Sequence, residues 1–151
     1  MNEANELLRL HTFRSGNFVF GILEDEIATV ADWREPAPLP KAPPAVLGVV
    51  SIQGRMLTVL DPTQLYDDNS QDGLHCSSIV ALRGDEQLAI AIEEVGGTIE
   101  IPERSLQYSP TATGDVVREA LSEGYEPIKV LAVNELFAAA MRGRERRRRR
   151  F

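Results

Sequence analysis

The chain has 151 residues, 43% of them hydrophobic and 26% charged, enough for one ordinary domain or two small units sharing a core. Its formal net charge of −7 is unevenly spread: residues 142–150 hold seven arginines against one glutamate, a local +6, which leaves the rest at −13 and repellent to nucleic acid and anionic lipid. One cysteine, Cys76, excludes an internal disulfide or an all-cysteine metal cage, and no run approaches the ~18 apolar residues of a membrane span.

Residues 1–17 read as an N-terminal lead. Met1 to Glu6 is acidic and lacks the basic and apolar regions of a signal peptide, so a cytoplasmic protein is expected. Leu7, Leu8 and Leu10 lie in a weak helix or frayed lead, and Ser15-Gly16-Asn17 is a turn signal. Phe18 to Leu23, Glu24-Asp25-Glu26 and Ile27 to Ala31 predict strand, polar turn and strand. Trp33 ends that second strand before Glu35-Pro36-Ala37-Pro38, where an aromatic either closes a core edge or faces a partner, the core edge being favoured.

Pro40, Pro43 and Pro44 stiffen a connector that is expected to cross the surface without joining a strand. Val46 to Ile52, a turn at Gly54-Arg55, and Met56 to Leu60 predict a hairpin buried on at least one face. Asp61 is placed to cap a short helical turn that has Pro62 in its first position. Residues 67–73 are expected to form a polar, acidic loop between two halves.

In the second half, Ser78 to Leu82 and Leu88 to Ile92 predict strands around a turn at Arg83-Gly84-Asp85-Glu86. A bend at Glu93 to Gly97, a strand from Thr98 to Ile101 and a loop from Glu103 to Asp115 follow. Val116 to Leu121 and Pro127 to Val133 predict a closing hairpin, and Asn134 caps a helix over Glu135 to Met141 with an apolar stripe.

The halves repeat. Met56 to Tyr66 lies over Pro127 to Phe137, pairing Leu57 with Ile128, Val59 with Val130, Leu60 with Leu131, Leu65 with Leu136 and Tyr66 with Phe137. Phe18 to Val30 likewise resembles Ser78 to Ala91. Two small β-barrels of one type, each too small to be comfortable alone, account for this.

The proline-rich lead, Val46-x-Gly48-Val49, Gly54, Val59-x-Asp61 and the helical turn ending at Leu65 resemble the CheW-like domain of bacterial chemotaxis signalling. The resemblance covers about Phe18 to Phe137. It implies a mainly β chain: two small five-stranded SH3-like barrels packed together, short helices at the barrel ends and C-terminus, with barrels free to exchange strands. The implied units are 18–70 and 71–137, followed by a basic tail, 138–151.

It also implies a non-catalytic adaptor that couples a CheA-type histidine kinase to a chemoreceptor or another CheW-like domain. The expected contact residues are Trp33, Arg34, Val46, Leu47, Gly48, Gln53, Gly54 and Arg55. Gln53 stands where the family carries a partner-contacting arginine, and Thr58 and Pro62 replace its usual proline and leucine, which points to a specialised adaptor.

The residues themselves offer no catalytic set. His11 and His75 have no second ligand at metal-type spacing, phosphate-cradling and nucleophile-elbow motifs are missing, and no cofactor is expected. The arginine tail reads as a solvated end, as a docking segment for an acidic protein surface including this chain's own body, or as the basis of an alternative function, binding nucleic acid or an anionic surface.

Overall fold

The computed structural model describes residues 7–66, 75–84, 86–103, 106–108, 117–120, 128–133, 136, 137 and 140. The loop expected at 67–73 and the tail from 141 lie outside them. The strands are β1 (Leu7–Ser15), β2 (Phe18–Leu23), β3 (Ile27–Asp32), β4 (Val46–Ile52), β5 (Arg55–Leu60), β6 (Ser78–Leu82), β7 (Leu88–Ile92), β8 (Glu94–Pro102), β9 (Leu106–Tyr108), β10 (Val117–Ala120) and β11 (Ile128–Leu131), with helix α1 at Pro62–Tyr66. They form two sheets, ordered β8-β1-β2-β11-β10-β9 and β3-β6-β7-β5-β4.

The sheets follow one plan. Each contains an antiparallel hairpin, β1–β2 or β6–β7, whose second strand pairs in parallel with β11 or β5 of a closing hairpin. After its hairpin the chain changes sheets. From β2 it passes through a 3-10 turn, Glu24–Glu26, into β3, which pairs with β6; from β7 it passes Glu93 into β8, which pairs with β1. The exchange is reciprocal, so neither sheet is made from one half of the sequence. Residues 7–23 and 94–131 build the first and residues 27–92 the second, and a division at 70/71 does not follow the sheets.

Four expectations are thereby corrected. The lead is not a helix or a frayed end: from Leu7 it is β1, whose Leu8 and Leu10 face one cluster while Phe13 faces another, so no continuous apolar stripe marks it. Phe18 to Val30 is a crossover between sheets, and the true counterpart of the β6–β7 hairpin is β1–β2. Gly96 and Gly97 lie inside β8, beside the irregularity of β1 at Thr12, and β9 occupies part of the segment expected to be a loop.

Period-2 alternation explains the burial. In β7 all five residues are buried: Ala89 and Ala91 face the interior of the second sheet, with Val50, Ile52, Leu57 and Val59, while Leu88, Ile90 and Ile92 face the other way. There they meet Phe13, Phe20 and Ile22 of the first sheet, Leu60, and Leu131, Leu136 and Ala140 from the C-terminal end. Leu10, Ile101, Ile128 and Val130 form a third cluster inside the first sheet. A shared core thus lies between two smaller ones. The repeat holds at this level: Leu57 with Ile128 and Val59 with Val130 face their own sheets' interiors, and Leu60 with Leu131 the shared core.

Candidate partner-binding surface

The expected contact residues come from two segments that the fold brings together. The connector after β3 returns along the free edge of β4, where Ala37 and Val49 exchange two backbone hydrogen bonds, each 2.9 Å. Earlier in the connector the Arg34 guanidinium donates from Nη1 to the Ser51 carbonyl at 2.6 Å. The connector therefore covers the sheet edge, which otherwise presents unpaired backbone groups to other chains.

The hairpin turn falls one residue earlier than the sequence indicates. Ile52 pairs with Arg55, so Gln53 and Gly54 are the two turn residues and Arg55 opens β5. Their φ angles, 51° and 78°, are both positive, as a two-residue type I′ turn requires. A Cβ on Gly54 would meet nothing within 4 Å, so the obstacle to substitution there is backbone conformation and not a clash. Gln53 holds a left-handed conformation that asparagine adopts more readily. We expect Gln53→Asn to raise stability by about 0.5–1 kcal/mol, read as a higher urea midpoint at unchanged slope.

The contact residues divide by exposure. Arg34, Gln53, Gly54 and Arg55 are exposed. Trp33 is half-buried, its backbone N–H donating to Ser77 O at 3.1 Å and its side chain packed against the interior of the second sheet with Leu47 and Cys76. Val46 packs against the shared core. Gly48 is buried under the connector: a Cβ there would collide with the Ala37 carbonyl group, so this glycine serves the close approach of two backbones. Sequence reasoning missed Met56, 59% exposed and paired across the strands with exposed Ser51. The signal was present, because burial of Leu57 and Val59 places Met56 and Thr58 on the opposite face.

Beneath the hairpin, Asp61 Oδ1 accepts hydrogen bonds from the Thr63 backbone N–H (2.9 Å) and hydroxyl (2.6 Å), the cap expected for α1. Burial raises the Asp61 carboxyl above its ordinary value, the Thr63 and Gln64 hydrogen bonds oppose that rise, and the Glu93 charge adds to it. A folded pKa above the unfolded one means that the stabilising contribution is complete below the unfolded value of 3.8 and is lost as pH rises through the folded value. Asp61→Asn keeps an acceptor for Thr63 and removes the charge. It is expected to raise stability at pH 7 and to change it little at pH 3.5, checked by urea unfolding at both pH values.

Cys76 is held the same way: burial, then Asp61, Glu93 and Glu35, push its thiol up to about 11, leaving it protonated and unreactive at neutral pH. Among the described residues no group of three His, Cys, Asp or Glu side chains is placed to hold a metal ion. None of the described helices is long and apolar enough to cross a membrane.

With this geometry in hand, the comparisons decide the family. The family model of the CheW-like domain matches residues 9–141. The chain belongs to the CheW-like domain family. Among curated proteins it is similar to the chemotaxis protein CheW of Rhizobium meliloti (strain 1021), with 25% identity over 118 residues, 78% of this chain and 74% of that protein. Among solved structures it is similar to the scaffolding protein TtCheW of Thermoanaerobacter tengcongensis, with a TM-score of 0.73 over 87% of this chain and 88% of that one. At 18% identity, that likeness establishes the CheW fold for these two sheets and nothing finer.

Proposed function

We propose that this CheW-like chain is a non-catalytic adaptor of chemotaxis signalling, coupling a CheA-type histidine kinase to a chemoreceptor or to another CheW-like domain. The observation that carries the reading is the family match, which runs from residue 9 in β1 to residue 141, beyond β11, and so takes in both sheets and the core between them. The fold suits an adaptor, because a two-sheet body holds the turn and the connector in place: β4 and β5 flank the turn, and the connector is hydrogen-bonded to β4.

The contact surface is the β4–β5 turn with the connector beside it. Arg34, Gln53, Arg55 and Met56 supply two cations, an amide and an apolar side chain, all exposed. Trp33, Val46, Leu47 and Gly48 support them from below. Arginine and methionine are enriched where proteins meet, and strands beneath them keep the ordering cost of association low.

Co-sedimentation with receptor-bearing membranes and a CheA-type kinase tests this. The chain is expected in the pellet when both are present, and Arg34→Glu is expected to reduce its pelleted fraction several-fold, because the Ser51 contact and the surface charge are lost together. A chain that stays in the supernatant with either partner and with both together overturns the proposal.

A further inference from the structure

The reciprocal exchange makes two structurally equivalent corners, each built from a crossover, a hairpin turn and the residues that follow a closing strand. In one corner the crossover residue is Glu93. Its carboxylate accepts the Gly16 N–H of the β1–β2 turn through Oε1 and the His75 N–H, at 3.0 Å, through Oε2. The start of α1 closes that corner: Thr63 packs against Gly16, so that a Cβ there would stand 3.1 Å from the Thr63 methyl.

Among the described residues the other corner has no such closure. Its crossover residue is Glu26, its turn is the one joining β6 to β7, and beyond β11 it has Val133, the residue that the internal repeat sets against Pro62. Where the first corner has the Asp61 cap, the second has Ala132, which has no group to reach across. The result is a groove of about 340 Å³ lined by Glu26, Leu82, Arg83, Glu86, Gln87 and Val133.

Glu26 Oε2 lies buried in this corner with no hydrogen-bond partner among the described residues. Arg83 does not fill the role: its Nε donates to Ile27 O at 3.0 Å and its backbone N–H to Glu26 O at 2.9 Å. A carboxylate oxygen so placed costs free energy until an N–H donor reaches it, as Gly16 and His75 reach Glu93.

We propose that this groove receives an arginine of the chain's own C-terminal segment, residues 142–150. The segment carries +6 against a body of −13, and the groove adds the carboxylates of Glu26 and Glu86. Chain path favours it as well. Val133 lines the groove, Ala140 ends the described chain seven residues later, and the eleven residues beyond can span ~35 Å when extended. A guanidinium offers five N–H donors in a planar fork suited to a carboxylate; burial and then the Asp25 charge raise the Glu26 carboxyl, and a paired cation favours its ionised form.

The test compares amide spectra of the full chain with those of a full-length variant in which the seven tail arginines are glutamine. Amides of Gly84, Glu86, Gln87 and Val133 are expected to shift between the two, to lose the difference at about 0.5 M salt, and to take the variant's positions in Glu26→Gln with the native tail. Unchanged shared-core amides, such as those of Ile90 and Leu131, show that both variants are folded. Identical groove amides in the two proteins, or equal shifts along acidic β8, overturn the proposal.

Discussion

Gly48→Ala is expected to destabilise the protein by about 3–5 kcal/mol, the range of substitutions that force backbone to move. The new Cβ would collide with the Ala37 carbonyl oxygen and stand 2.7 Å from its carbon and 2.9 Å from Pro36 Cβ. Two of these atoms are backbone and the third belongs to a proline ring, so no side chain can swing away. Relief requires the connector to leave the sheet edge, which breaks both Ala37–Val49 hydrogen bonds, worth about 1 kcal/mol each. Alanine must also adopt φ near +148°, a region that costs an L residue about 1–3 kcal/mol. Urea unfolding monitored by Trp33 fluorescence checks this, with a fall in midpoint expected. Partner binding should weaken with it, because Arg34 sits on the displaced connector.

Phe20→Ala is expected to cost about 3–5 kcal/mol through a cavity in the shared core. Phe20 is 1% exposed, its ring 5.9 Å from that of Phe18, and it belongs to the cluster that also holds Val80, Leu88, Ile90 and Ile92 of the other sheet. Its side chain stabilises both sheets at once. Fluorescence of Trp33, in the second sheet, and amide exchange of β1 and β2, in the first, should therefore lose stability by the same amount and keep coincident transitions. A loss confined to the first sheet would show that the two cores fold separately.

Much of this was legible in the sequence because it is local. The hairpin strands, the Asp61 cap and the closing hairpin each depend on alternation or on a residue two or three positions away, and the repeat of Leu57, Val59 and Leu60 in Ile128, Val130 and Leu131 survives into three dimensions as matched burial. What escaped depends on distant partners. Glu24–Glu26 has the composition of a hairpin turn, and only the pairing of β3 with β6 makes it a crossover. β1 divides its apolar residues between two clusters and so shows no single stripe. The turn lies one residue earlier than expected because Gln53, like Gly54, takes a positive φ, which is uncommon for glutamine and has no local signature.

The surface was legible in outline and not in its division of labour. Arg34, Gln53, Gly54 and Arg55 are exposed as a contact role requires, whereas Gly48 is covered by Ala37, a tertiary contact that no local pattern encodes. The groove at Glu26 could not be read at all, since it arises from comparing one corner of the fold with its equivalent.

The reading of this chain as an adaptor held by its hairpin surface is tested most directly by calorimetric titration of the full chain into the regulatory region of a CheA-type kinase. Saturable binding is predicted, about 10-fold or more weaker for Arg55→Glu and unchanged within about twofold when the tail arginines are glutamine. Absence of binding by the native chain, or binding that survives Arg55→Glu and disappears with the tail arginines, would contradict it.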